Sequence, residues 1–141
     1  MKAARVRFYF DADVLGLAHI VCSLRTDSTY PGDPGADLQK RRRPPCPIAS
    51  PHQKDSAWIP IVAQHGWLII TRDSKIATRV PERKVVDQHN ARLVAISGRD
   101  GTNKWNQLEI LMIQWRRLVR LQREEGPFIY SATRTSLRKI H

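Results

Sequence analysis

The sequence predicts an α/β domain built on a parallel sheet. One observation is the run Trp67-Leu68-Ile69-Ile70, preceded by Gly66 and followed by a polar turn. A short apolar run bounded in this way is a strand buried on both faces, as in a parallel sheet. A second is the repetition of one local pattern. Arg5 to Phe10 (RVRFYF) reads as a strand, ends in an acidic turn at Asp11-Ala12-Asp13, and passes into helically spaced apolar residues at Val14, Leu15, Leu17, Ala18, Val21 and Leu24. The same order of strand, aspartate and helix recurs around Asp73. A third is size: 141 residues with 41% hydrophobic content fit one domain with a real core.

The remaining elements follow in order. A helix is predicted from Asp55 to Gly66, with Pro60 implying a late start or a slight kink and Gly66 as its terminating residue. The strand Trp67 to Thr71 comes next. Ser74 to Val80 reads as a short helix stopped by Pro81, and Glu82 to Asn90 as another. Arg92 to Ile96 is a strand, and 97–102 a turn-rich loop. The longest helix runs from Asn103 to Glu124. Its apolar stripe, Trp105, Leu108, Met112, Trp115 and Val119, is expected to face the core. Phe128 to Thr133 is the last strand, followed by a basic tail. His19 lies among apolar residues and reads as a packed histidine.

The segment 26–54 differs in composition. Six of nine prolines fall in it, with the basic run Lys40-Arg41-Arg42-Arg43. It reads as an insert with one helical turn at most, near Ala36 to Arg42. It is either a flexible arm touching nucleic-acid phosphate or a solvated basic loop. The net charge of +11 fits a polyanionic partner, RNA or DNA. Cys22 and Cys46 form neither a zinc pattern nor a disulfide framework, so a reducing, cytoplasmic setting is expected. The stretch MKAARVRFYF is too short in apolar residues to read as a signal peptide, and no run approaches the length expected of a membrane span.

Asp11, Asp55 and Asp73 carry the chemistry. Each singly is a reasonable helix cap. Together they mean more. Asp11 and Asp73 both follow buried strands, so parallel strands would bring both to one edge of the sheet. Asp55 opens a helix that begins near that edge. Clustered carboxylates stay ionised only around a cation, and hard oxygen ligands suit Mg²⁺ or Mn²⁺. A carboxylate-held metal in a basic surround is suited to phosphodiester hydrolysis.

These stretches, FDADVLGLA at Phe10 to Ala18, Asp55 with Ala57 and Trp58, and GWLIITRDSKI at Gly66 to Ile76, resemble the three acidic motifs of PIN-domain ribonucleases. The nearest likeness is to the VapC-like toxins of toxin–antitoxin pairs, over about Arg5 to Ile96. The resemblance implies a Rossmann-like three-layer α/β/α sandwich with a central, mainly parallel sheet, in one domain spanning 1–141. It implies Mg²⁺-dependent RNA cleavage and a cognate antitoxin, with a homodimer as a further option. Asp11, Asp55 and Asp73 take the metal-binding places, Asp13 a place beside the first acid, and Thr71 the hydroxyl position before the last. Arg72 and Lys75 are expected to hold phosphate, as are Lys40, Arg41, Arg42 and Arg43. Two departures stand out. The usual glutamate between the first acid and Asp55 has no counterpart, and Lys75 stands where a second acid often follows Asp73. A PIN-like RNA-binding module without catalysis, and a DNA-directed nuclease, are the rival readings.

Overall fold

The structure, a computed structural model, describes residues 1–141 except the side chain of Asp100. In chain order the elements are β1 (Lys2–Ala3), β2 (Phe8–Phe10), α1 (Leu15–Leu24), β3 (Ser28–Thr29), β4 (Ala36–Leu38), β5 (Arg41–Arg43), α2 (Asp55–Gln64), β6 (Leu68–Thr71), α3 (Val80–Gln88), β7 (Arg92–Ile96), α4 (Lys104–Leu121), β8 (Phe128–Ala132) and β9 (Leu137–Lys139). Short 3₁₀ turns follow β2, β6 and β7.

The main sheet has the order β3-β2-β6-β7-β8-β9, and all neighbours are parallel except β8 and β9. Side chains alternate across it, as strand geometry requires. Phe8, Phe10, Leu68, Ile70, Val94 and Ile96 pack beneath α1 and α4. Tyr9, Ile69 and Leu93 pack on the other face against Trp58, Ile59 and Val62 of α2 and Val86 of α3. The fold is therefore a three-layer α/β/α arrangement with a mainly parallel sheet, as predicted.

The chain leaves β2 for β3 on one side and later returns to β6 on the other. Strand order thus reverses between β2 and β6. In open α/β sheets ligands bind beyond the carboxyl ends of the strands at such a reversal. The register pairs Phe10 with Ile70, and the Asp11 backbone N–H donates to the Ile70 carbonyl at 2.9 Å.

Three expectations are corrected. The segment 26–54 is neither a flexible arm nor a helical turn. Ser28–Thr29 joins the main sheet, and β4 and β5 form an antiparallel hairpin that β1 extends in parallel, giving a second sheet β1-β5-β4. Its tip, Gln39-Lys40, has positive φ at both residues (52° and 60°), the geometry of a tight two-residue hairpin turn. Neither residue is the Gly or Asn that announces such a turn. Gly35 has φ of 85°, and a Cβ there would stand 2.4 Å from the Arg43 carbonyl oxygen.

Pro81 does not stop a helix. It lies in the first turn of α3, where its missing N–H costs nothing. In α4 the buried face is Gln107, Ile110, Leu111, Gln114, Leu118 and Leu121. Trp105 and Met112 are 77% and 68% exposed, whereas Leu108, Trp115 and Val119 are partly buried against the core. Two inward glutamines hide this phase from a hydrophobicity count. Gln107 Nε2 donates to the Gly101 carbonyl and Gln114 Nε2 to that of Thr133, both at 2.9 Å. Among the described residues no helix is long and apolar enough to cross a membrane.

Candidate active site

Asp11 and Asp73 both leave the carboxyl edge of the sheet, from adjacent strands. Asp11 caps the 3₁₀ turn after β2, with Oδ1 accepting from the Ala12 N–H at 2.7 Å. Thr71, the last residue of β6, is 1% exposed. Its hydroxyl lies 3.2 Å from Asp11 Oδ2 and 3.0 Å from Asp13 Oδ2. A hydroxyl has one proton to donate, so Thr71 ties two carboxylates to one point without neutralising either. The Arg72 N–H donates to Asp13 Oδ2 at 3.1 Å, and the Asp73 N–H donates to Thr71 Oγ1 at 3.1 Å. The hydroxyl position before the last acid is thus the hub that links Asp11, Asp13 and the Asp73 backbone.

Asp55 comes in from α2. It occupies the first helical turn, where a carboxylate complements the helix dipole. The Trp58 indole Nε1–H donates to Asp55 Oδ1 at 3.1 Å. Trp58 itself is fixed by packing on Tyr9 of β2, with ring centroids 5.2 Å apart. The core beneath the sheet therefore sets the position of this acid.

The electrostatics record the crowding. Burial, then the Asp13 and Asp55 charges, push the Asp11 carboxyl up to about 7, against the pull of the Ala12 and Thr71 hydrogen bonds. Asp13 is raised mainly by burial, with hydrogen bonds from Thr71 and Arg72 opposing. Asp55 is raised by burial and by Asp73 and Glu82, with Trp58 and Arg79 opposing.

Two residues at this site escaped the sequence reading. Arg79 Nη2 donates to Asp73 Oδ2 in a close ion pair. Glu82, one turn into α3, has Oε2 3.8 Å from Arg79 Nε, and that oxygen is buried without a hydrogen-bond partner. Asp55 and Glu82 line one groove with Lys54, Ser56, Pro81 and Val85. The signal was present in Arg79-Val-Pro-Glu82. A proline marks the first turn of a helix, which places positions 79 and 82 on the same helix end just beyond Asp73. Glu82 is an acid from α3, beyond Asp73, whereas the interval between Asp11 and Asp55 holds no glutamate.

All these donors are carboxylate oxygens, a chemistry that fits Mg²⁺ or Mn²⁺, and the orphaned Glu82 Oε2 adds a further acceptor. The arrangement is not preassembled. Among the described residues no three His, Cys, Asp or Glu side chains are grouped so as to hold a metal ion. Asp73 is turned to Arg79, so a cation drawing on Asp73 would displace a guanidinium.

The predicted phosphate contacts divide. Arg72 and Lys75 are exposed beside Asp73. The run 40–43 lies at the opposite, amino edge of the sheet: Lys2 pairs with Arg41, and Gln39 Nε2 donates to the Leu24 carbonyl at the end of α1. Arg43 does not meet solvent. It is buried, and its Nε and Nη2 donate to Asp33 Oδ2 and Oδ1 at 2.7 and 3.1 Å.

A family model described as a PIN-like domain matches residues 36–98. The match takes in Asp55, Thr71, Asp73, Arg79 and Glu82 and leaves Asp11 and Asp13 outside. No curated protein and no solved structure matches the chain. The match covers less than half of the chain, and the layered α/β architecture with its mainly parallel sheet agrees with a PIN-like fold.

Proposed function

We propose that this chain is a metal-dependent endoribonuclease, the toxin component of a VapBC-type toxin–antitoxin pair. The observation that carries the reading is the parallel β2–β6 register, which brings Asp11 and Asp73 to one sheet edge where strand order reverses. Asp11, Asp13, Asp55 and Asp73 would hold Mg²⁺ or Mn²⁺, with Asp55 either a ligand or the acceptor that orients the attacking water. When bound, the cation supplies an activated water and stabilises the charge that develops on the leaving oxygen.

The chain's own groups do the rest. Thr71 fixes the facing oxygens of Asp11 and Asp13. Trp58 holds Asp55 from below. Arg72 and Lys75 offer charge to the scissile phosphate from the exposed rim. Arg79 balances the Asp73 charge. No side chain is required as a covalent nucleophile. The antitoxin reading carries its own chemistry: a partner arginine laid among Asp11, Asp55 and Asp73 would do from outside what Arg79 does to Asp73 from within.

The Arg79–Asp73 pair favours one rival, an RNA-binding module that has lost catalysis. The test is cleavage of labelled RNA and DNA by the purified chain with Mg²⁺, with Mn²⁺ and with chelator. Metal-dependent cleavage of RNA alone is expected. Equal cleavage of DNA would make it a general nuclease, and no cleavage with intact RNA binding would leave the module. Co-purification of a small partner encoded beside it, with growth arrest on expression alone, tests the toxin assignment.

A further inference from the structure

The sheet edge opposite the acids carries a concave surface lined by Arg5, Arg7, Arg25 and Arg41, with Thr26 and Asp27 and the Ala3-Ala4 backbone. Three parts of the chain build it. Arg5 and Arg7 lead into β2, Arg25 follows α1, and Arg41 comes from the hairpin that pairs with β1.

The successive arginines of β5 have three fates because strand side chains alternate. Arg41 and Arg43 share a face. Arg43 is locked onto Asp33 at the buried base, and Arg41 reaches the concave surface. Arg42 points the other way, and its Nε donates to Asp37 Oδ1 at 3.0 Å.

The charge on this surface is uncompensated. Asp27, the one acid in the lining, is taken up by Arg25, whose Nε and Nη2 donate to its two oxygens at 3.0 and 2.8 Å. Arg25 is also held over the Trp115 ring, 4.5 Å from its centroid. Among the described residues Lys2, Arg5, Arg7, Lys40 and Arg41 have no ion-pair partner. The hairpin that presents Arg41 is held by its tight tip and its buried ion pair, so binding would not have to order a loose arm.

We propose that this amino-edge surface is a second nucleic-acid site, which binds the phosphate backbone of RNA apart from the acids. Forked guanidinium donors match phosphate oxygens. The lining has no apolar centre of the kind a protein partner would bury. β2 and its lead-in separate the two sites by roughly 13 Å, from about 3.3 Å per residue between Arg7 and Asp11. An RNA several nucleotides long can therefore engage both edges. The site would add affinity for longer or folded RNA without touching the reacting bond.

The test is fluorescence anisotropy of a labelled single-stranded RNA of about 16 nucleotides, a length within known single-strand site sizes. Binding is measured in chelator across about 50 to 200 mM salt, a range in which counterion release changes affinity steeply. The variant is Arg5→Ser/Arg7→Ser/Arg41→Ser. It should bind at least roughly tenfold more weakly at low salt, with a log–log salt slope shallower by about two, because each lost single-strand phosphate contact removes about 0.7. If this variant does not fold, Arg5→Glu/Arg41→Glu at the two exposed positions should show the same direction. DNA of equal length losing affinity in parallel would mean backbone recognition alone; loss with RNA only would add a ribose contact. An unchanged slope in a folded variant overturns the site and leaves the surface to an acidic protein partner. Chelator removes catalysis from the measurement. A chain that binds here but never cleaves refutes the nuclease reading and keeps this site; one that cleaves with an unchanged slope does the reverse.

Discussion

At the carboxyl edge of the sheet, Asp11 and Asp13 share one hydroxyl, and Asp55 and Glu82 approach from two helices. At the amino edge, Arg5, Arg7 and Arg41 gather with Asp27 already taken by Arg25. Both edges hold like charges together, but they are built differently. The acids sit on the ends of core strands and on a helix pinned by Trp58, and burial raises Asp11 towards neutrality. The arginines come from the lead-in to β2 and from the hairpin, with Arg5 and Arg41 exposed to water, where their charges cost little. The acid edge thus stores an electrostatic tension that a cation would relieve, whereas the basic edge is a solvated platform awaiting an anion.

The largest effect in this comparison should come from the base of the hairpin. Asp33→Ala leaves Arg43 buried without its partner, a change that costs about 3–5 kcal/mol when one member of a buried pair is removed. Chemical denaturation should show that loss. A wild-type midpoint would mean that the hairpin is not packed onto the domain as described.

At the acid edge, Asp11→Asn and Asp73→Asn should each keep the fold and lower metal-dependent RNA cleavage by at least about 10²-fold. Loss of groups that merely orient a ligand already costs up to about that much. Retained cleavage in either folded variant would place the chemistry elsewhere.

Stability against pH distinguishes the two edges next. Asp11 titrates near 7 in the folded protein and near 3.8 when unfolded, so between these values the folded state holds the extra proton. Its contribution is therefore full below about 4 and is lost as pH rises through 7. The melting temperature of metal-free protein should fall across that window, and Asp11→Asn should flatten the slope. The smallest effect belongs to Arg42→Ala. Its pair with Asp37 is exposed, with 69% of the Arg42 side chain open to solvent, so the melting temperature should not move measurably.

Much of this was legible in the residues. The apolar run at Trp67 to Ile70 announces a buried parallel strand, Arg92 to Ile96 a further strand, and the position of Asp11 and Asp73 after strands announces the shared edge. The hairpin was hidden because Gln39-Lys40 adopts a turn that its residue types do not favour. The phase of α4 was hidden because Gln107 and Gln114 face inward on backbone carbonyls. Arg79 and Glu82 were missed because Pro81 was read as the end of a helix and is part of its beginning. In the first two cases a backbone angle or a tertiary hydrogen bond, invisible to periodicity, decides the outcome; in the third the proline itself carries the signal.

The central claim is that the acids at the carboxyl edge form a cation site. Calorimetric titration of Mn²⁺ into the metal-free protein at pH 8, above the Asp11 titration near 7, tests it without reference to any substrate. Saturable binding is expected in the wild type. Asp11→Asn/Asp73→Asn, shown to be folded by circular dichroism, should lose it by at least about 10²-fold in affinity, since two charged oxygen ligands are gone. Equal binding by the double variant, or no binding by the wild type, would contradict the account.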